Sequence, residues 1–235
     1  SLVWAHGGWA IAYNDDRTGA HEIYLARLDA SGAIIDDARI SDSDAHHSTM
    51  PDLVASDRGY AVVWNDRRDA GILEVTRLNP YFVLLDTEGN TLTANRRLDT
   101  NNPSPDRTNW VSIAWTGTDF GVVWQDYKDG GASPNIYFQR INGDGSFNGS
   151  NVQLTGFVGE GDPIAPSEWP DLVWNGTSYA VAWLGRAGDG TRQIFVRHFD
   201  VDGSRLGSGR IQVTDSPNTI RVPQLAWSGT DYGLT

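Results

Sequence analysis

The chain has 235 residues, of which 39% are hydrophobic and 20% charged, enough apolar material for one large folded domain and too much for a disordered polymer. Its formal net charge of −12 opposes a nucleic-acid backbone, and 17 of its 18 basic residues are Arg, the other being Lys128. Cysteine is absent, which excludes disulfides, thiolate nucleophiles and Cys-ligated zinc, and no apolar run reaches the roughly 18 residues of a membrane-spanning helix.

A motif recurs along the chain. It opens as Ser1-Leu-Val-Trp4, Pro51-Asp-Leu-Val-Ala55, Val111-Ser-Ile-Ala-Trp115, Pro170-Asp-Leu-Val-Trp174 and Pro223-Gln-Leu-Ala-Trp227. Each opening leads through a short polar turn into a second strand: Trp9-Ala-Ile-Ala-Tyr13, Tyr60-Ala-Val-Val-Trp64, Phe120-Gly-Val-Val-Trp124 and Tyr179-Ala-Val-Ala-Trp183. Runs this apolar predict strands buried on both faces. A third strand carries Tyr24, Tyr81, Tyr137 and Phe195, and ends in Asp29-Ala-Ser-Gly32, Asp86-Thr-Glu-Gly89, Asn142-Gly-Asp-Gly145 and Asp200-Val-Asp-Gly203, where Asp or Asn caps a turn and Gly accepts positive φ. A short polar fourth strand follows, as suits a sheet edge.

Units of about fifty residues with four strands each predict an all-β chain, a β-propeller of four-stranded antiparallel blades. The expected repeats run over 1–50, 51–107, 108–168, 169–222 and a partial 223–235 within one domain, 1–235. Because Asp231-Tyr-Gly-Leu-Thr235 stops inside a second strand, the expectation is a five-bladed ring or a window from a larger propeller. Longer connections at 70–80 and 156–168 are where a propeller carries specificity.

The most repeated polar feature follows the second strand. An acid column, Asp15, Asp66 and Asp126, is followed two positions later by a basic column, Arg17, Arg68 and Lys128; the fourth repeat has Gly185 and Ala187 instead. Two readings stand: each Asp caps its loop while each Arg pairs with an acid, or the six residues form a ring of ligand contacts. Trp110 and Trp169, which precede first strands, are either packing wedges or platforms for a sugar ring. Glu160, Asp162 and Glu168 are the acids best spaced for glycoside hydrolysis, which needs two carboxyl groups across a pocket. No catalytic residue and no metal ligand is assigned. Calcium is considered only at the turns 142–145 and 200–203, which lack the distal ligands of a calcium loop. His46 and His47, between Asp42, Asp44 and the second repeat, read as a solvated linker.

As a whole the repeat, with Pro-x-Leu-x-Trp, Trp64-Asn-Asp-Arg-Arg68, Ile-Tyr and Asp-x-x-Gly, resembles the repeats of secreted or surface-anchored bacterial β-propeller proteins, over practically the whole chain. The resemblance implies an extracellular or cell-surface location and a noncatalytic role as a lectin-like binding module or scaffold. Its ligand would be a carbohydrate or a protein, without nucleic acid, membrane insertion or cofactor. The alternative is a carbohydrate-active hydrolase of the propeller type.

Overall fold

The structure, a computed structural model, describes residues 1–44, 46–69, 78–99, 109–127, 133–156, 166–218 and 220–235. It forms two compact units, Ser1–Val111 and Ser112–Thr235. Every described element is a strand, and every pairing within the sheets is antiparallel.

The first unit holds two four-stranded sheets, each ordered as the chain runs. Sheet one is β1 (Leu2–Ala5), β2 (Gly8–Asp15), β3 (Glu22–Leu28) and β4 (Ile34–Arg39); sheet two is β5 (Ser48–Ser56), β6 (Gly59–Asp66), β7 (Asn79–Asp86) and β8 (Arg96–Arg97). Between β3 and β4 the Asp29 carboxylate accepts the amides of Ser31 and Ala33, at 2.8 and 3.0 Å, and Gly32 takes φ 87°. Asp86 does the same for Glu88 and Asn90, with Gly89 at φ 86°. These are the turns that the Asp-x-x-Gly spacing predicts.

The two sheets bury Ala10, Ala12, Ile23 and Leu25 of the first against Tyr60, Val62, Trp64, Tyr81, Val83 and Leu85 of the second. Small side chains on one sheet thus receive large ones from the other, which is how blades close-pack. All of β6 is buried, whereas β2 is buried only at alternate positions on the face turned to sheet two. Burial of β2 on both faces was expected and is corrected: on the other face of sheet one Trp9 of β2 is 37% exposed, and Leu2 and Trp4 of the paired β1 are 58% and 50% exposed.

The second unit holds sheet three, with β9 (Asn109–Trp115, which begins just before the division), β10 (Asp119–Asp126), β11 (Asn135–Asn142) and β12 (Phe147–Gln153). Sheet four has β13 (Glu168–Trp174), β14 (Tyr179–Arg186), β15 (Arg192–Phe199) and β16 (Ile211–Gln212), followed by a hairpin of β17 (Leu225–Trp227) and β18 (Tyr232–Leu234). Phe138 of sheet three packs with Tyr179, Val181 and Trp183 of sheet four, and Leu225 and Leu234 of the hairpin pack on Leu184 and Ile194. At Gly121 sheets three and four approach closely, since a Cβ there would stand 2.5 Å from the Tyr179 ring.

Three non-glycine residues at equivalent places adopt left-handed backbone: Met50 at φ 54°, Trp110 at 54° and Trp169 at 56°, each early in the first strand of its sheet. The pairing register shifts between Thr49 and Asp52 and between Glu168 and Asp171, so two of the three sit in bulges that re-aim the strand. In the second, the amide of Trp169 donates to the carboxamide oxygen Oε1 of Gln125 at 3.0 Å.

Candidate functional site

The acid and base columns are built by the strand ends. Asp15 accepts from the amide of Arg17 at 2.7 Å and from its Nε at 3.0 Å, and the same guanidinium reaches Asp37 at 2.9 Å. This cluster lies at the surface, with the Arg17 side chain 42% exposed. Asp66 makes the same loop cap in the interior: it accepts from the amide of Arg68 (2.8 Å), its Nε (3.0 Å) and Nη2 (2.7 Å), and from Trp64 Nε1 and Ser48 Oγ (both 2.9 Å). Burial by itself pushes the Asp66 carboxyl up, but the hydrogen bonds from Arg68 and Trp64 outweigh it and hold the group below the usual carboxylate range. Arg68 lies over the Tyr81 ring and also pairs with Asp42 and Asp44. Asp126 accepts from Trp124 Nε1 at 3.3 Å, and Lys128 lies outside the described residues. In sheet four Gly185 supplies no carboxylate, and Trp183 Nε1 is buried without a hydrogen-bond partner. There Arg210 covers the Phe195 ring, 3.8 Å from its centroid, as Arg68 covers Tyr81.

The other sequence candidates are dispersed. Trp110 is half-buried. Trp169 packs on the Leu184 and Ile194 cluster and has the Arg192 guanidinium 5.6 Å from its ring. Glu168 is ion-paired to Arg192, while Glu160 and Asp162 lie outside the described residues. At the turns weighed for calcium, Asp144 accepts from the amide and hydroxyl of Ser146, and Asp202 from the amide of Ser204. Among the described residues no group of three or more His, Asp and Glu side chains is placed to hold a metal ion.

The chemistry gathers where β3 begins. Register pairs Glu22 with Asp15, Asn79 with Asp66, Asn135 with Asp126 and Gln193 with Gly185, so one position carries an amide in three sheets and a carboxyl group in the first. The position makes the same kind of contact in both kinds of sheet: Gln193 Oε1 accepts from Thr214 Oγ1 at 2.8 Å, and Glu22 Oε2 accepts from Ser41 Oγ at 2.6 Å. An amide serves that contact at no charge, whereas a carboxylate there must be desolvated. Glu22 is 2% exposed. Burial first of all, and the charges of Asp44 and Asp66, push its carboxyl above the ordinary range against the hydrogen bond from Ser41.

Glu22 lines a cleft of about 640 Å³ with Thr18, Gly19, Ala20, Ser43, Asp44 and His47. Asp44 accepts from the amide of His46 at 3.0 Å and stands 3.3 Å from Arg68 Nε. His47 is half-buried, its Nδ1 accepting the amide of His21 at 3.1 Å, and its ring leans on that of His21. The expected solvated linker is therefore corrected at His47, because its ring supplies the acceptor that the His21 amide needs. Sequence reasoning missed Glu22; the signal that finds it is the column two residues before Tyr24, Tyr81, Tyr137 and Phe195, acid in the first repeat and amide in the rest.

No protein-family model matches the chain, and no curated protein matches it. Among solved structures it is similar to an endo-arabinase from Bacteroides thetaiotaomicron, with 12% identity and a TM-score of 0.57 over 100% of this chain and 90% of that one. It is also similar to an α-L-arabinofuranosidase from Lactobacillus brevis (11%, TM-score 0.56, 92% and 76%) and to a GH32 β-fructofuranosidase from Bombyx mori (13%, TM-score 0.55, 97% and 52%). At such identities the likeness shows the fold, the β-propeller that the repeat predicts. It also corrects the expectation of a noncatalytic binding module or scaffold: the three structures named are an arabinase, an arabinofuranosidase and a fructofuranosidase, and they favour the hydrolase alternative over it.

Proposed function

We propose that this chain is a carbohydrate-active hydrolase of the propeller type, cleaving glycosidic bonds in the cleft of its first unit. The observation that carries the reading is Glu22, a buried carboxyl group pushed toward its protonated form beside a second carboxyl group in an open cleft. The enzymes named above, which share the fold, add support by analogy.

In this reading Glu22 gives its proton to the glycosidic oxygen as the bond to the anomeric carbon breaks. A water oxygen bonds to that carbon and its proton passes to Asp44, which is ion-paired to Arg68. Asp44 then releases that proton to solvent and solvent returns one to Glu22, so that both groups are restored, one water is consumed and two sugar chains leave. The ligand is accordingly a carbohydrate. We place the work outside the cytoplasm or at the cell surface, as the resemblance of the repeat to secreted propeller proteins implies; fractionating cells that make the natural protein would test this, and a purely cytoplasmic signal would refute it.

Release of reducing sugar from arabinan, arabino-oligosaccharides and fructans tests the activity. Glu22→Gln, which copies the amide of Gln193, is expected to keep the fold and lower kcat/KM by about 10²–10⁴-fold. No release from any of these glycans, or full activity in the variant, would refute the assignment.

A further inference from the structure

Sugar hydroxyls both donate and accept, so a cleft that grips them needs donors as well as carboxylates. Among the described residues the lining of this cleft includes two carboxyl groups, the hydroxyls of Thr18 and Ser43, and no Lys or Arg. Among these described lining residues a side-chain nitrogen donor comes from His47 alone.

The state of that ring follows from its neighbours. A backbone amide only donates, so the Nδ1 atom that meets the His21 amide at 3.1 Å must present its lone pair. In a neutral imidazole the proton is then on Nε2. Nε2 has no partner among the described residues, and His47 lines the open cleft. A second proton is opposed from several sides: by burial, then by Arg67, His21 and His46, and by the His21 amide itself, which would face an N–H.

We infer that His47 is held as its Nε2–H tautomer and acts as an uncharged donor to a sugar hydroxyl, fixing the substrate against Glu22 and Asp44. The inference takes the sugar from the hydrolase reading and adds the group that binds it. It also makes the site one for an uncharged sugar, because among the described lining residues there are two carboxyl groups and no Lys or Arg, and the guanidinium that pairs with Asp44, Arg68, is already committed to Asp66, so a uronate would find no free cation to pair with.

Two amide substitutions separate the two edges of the ring. His47→Asn puts a carbonyl where Nδ1 stands, keeping an acceptor for the His21 amide and losing the donor. His47→Gln reaches the Nε2 position with an N–H and leaves the His21 amide unserved. With an arabino-oligosaccharide as probe, His47→Asn is expected to raise KM about tenfold with kcat within about threefold, and His47→Gln to keep KM within about threefold while melting earlier. The opposite ranking, or an unchanged KM in both, overturns the inference. Long-range ¹H–¹⁵N NMR of the wild-type chain reads the tautomer directly: a proton on Nε2 alone at neutral pH supports it, and a proton on Nδ1 or on both nitrogens overturns it. If there is no turnover, titrating the same oligosaccharide decides between the two proposals. A shift at His47 Nε2, with binding weakened about tenfold by His47→Asn, leaves this inference standing while the hydrolase reading falls; no shift overturns both. A galacturonic acid oligomer is expected to bind more weakly than the arabino-oligosaccharide, and equal or tighter binding would refute the uncharged-sugar assignment.

Discussion

Asp15–Arg17 and Asp66–Arg68 are one motif in two environments. Both acids accept the amide and Nε of the Arg two residues on, both Arg side chains cover the Tyr of the third strand, and both loops are closed alike. Around Asp66, however, the indole of Trp64 and the hydroxyl of Ser48 complete a buried shell, while Tyr13 and Asp37 leave the Asp15 cluster at the surface. What differs is what lies over the motif. Sheet one covers the Trp64 face of sheet two, whereas the matching face of sheet one, with Trp4 and Trp9, is exposed.

The sharpest test of this contrast is removal of each acid. Asp66→Ala leaves Arg68 half-buried without its main counterion, and an indole and a hydroxyl without an acceptor, so chemical denaturation should show a loss of about 3–5 kcal/mol. Asp15→Ala, in water, should leave the midpoint indistinguishable from wild type. Equal losses would show that covering the motif does not matter.

Acid sharpens the comparison further. A carboxyl held below its unfolded value contributes stability that is full above that value, 3.8 for Asp66, and is lost as pH falls through the lower folded value. Asp66→Asn should therefore flatten the acid limb of the stability profile, followed by unfolding at stepped pH.

Gly121→Ala tests the blade contact of the second unit, because its methyl would be driven into the buried Tyr179 ring; the expected loss is about 1–3 kcal/mol. Gly188, with nothing within 4 Å of a built Cβ, is the control, and Gly188→Ala should leave stability unchanged.

The smallest effect should carry the opposite sign. Glu22 is held above its unfolded value of 4.5, so its contribution is present below that pH and lost as pH rises through the folded value. Glu22→Gln should thus be as stable as wild type or slightly more so at neutral pH, while activity disappears. A clear destabilisation at neutral pH would mean that the carboxylate is structural.

Much of this was legible in the residues. Recurring apolar runs bounded by aromatics mark the strands, and Asp-x-x-Gly marks the turns, because strand and turn are set within a few neighbours. The pairing of Asp with Arg two positions later was also readable, since both ends lie in one loop. Glu22 was hidden in plain sight: as a lone acid in a polar column it differs from Asn79, Asn135 and Gln193 by one functional group, and only its burial beside Asp44 gives that difference a chemical meaning. His47 was misjudged because its partner is a backbone amide 26 residues away.

The sequence by itself determined the strands, their turns and the blade repeat, all consequences of local sterics and hydrophobic period. Only the tertiary structure decided which copy of a motif is covered and which acid is desolvated. Burial and the field of neighbouring charges are summed over residues distant in the chain, and no stretch of a few residues contains that sum.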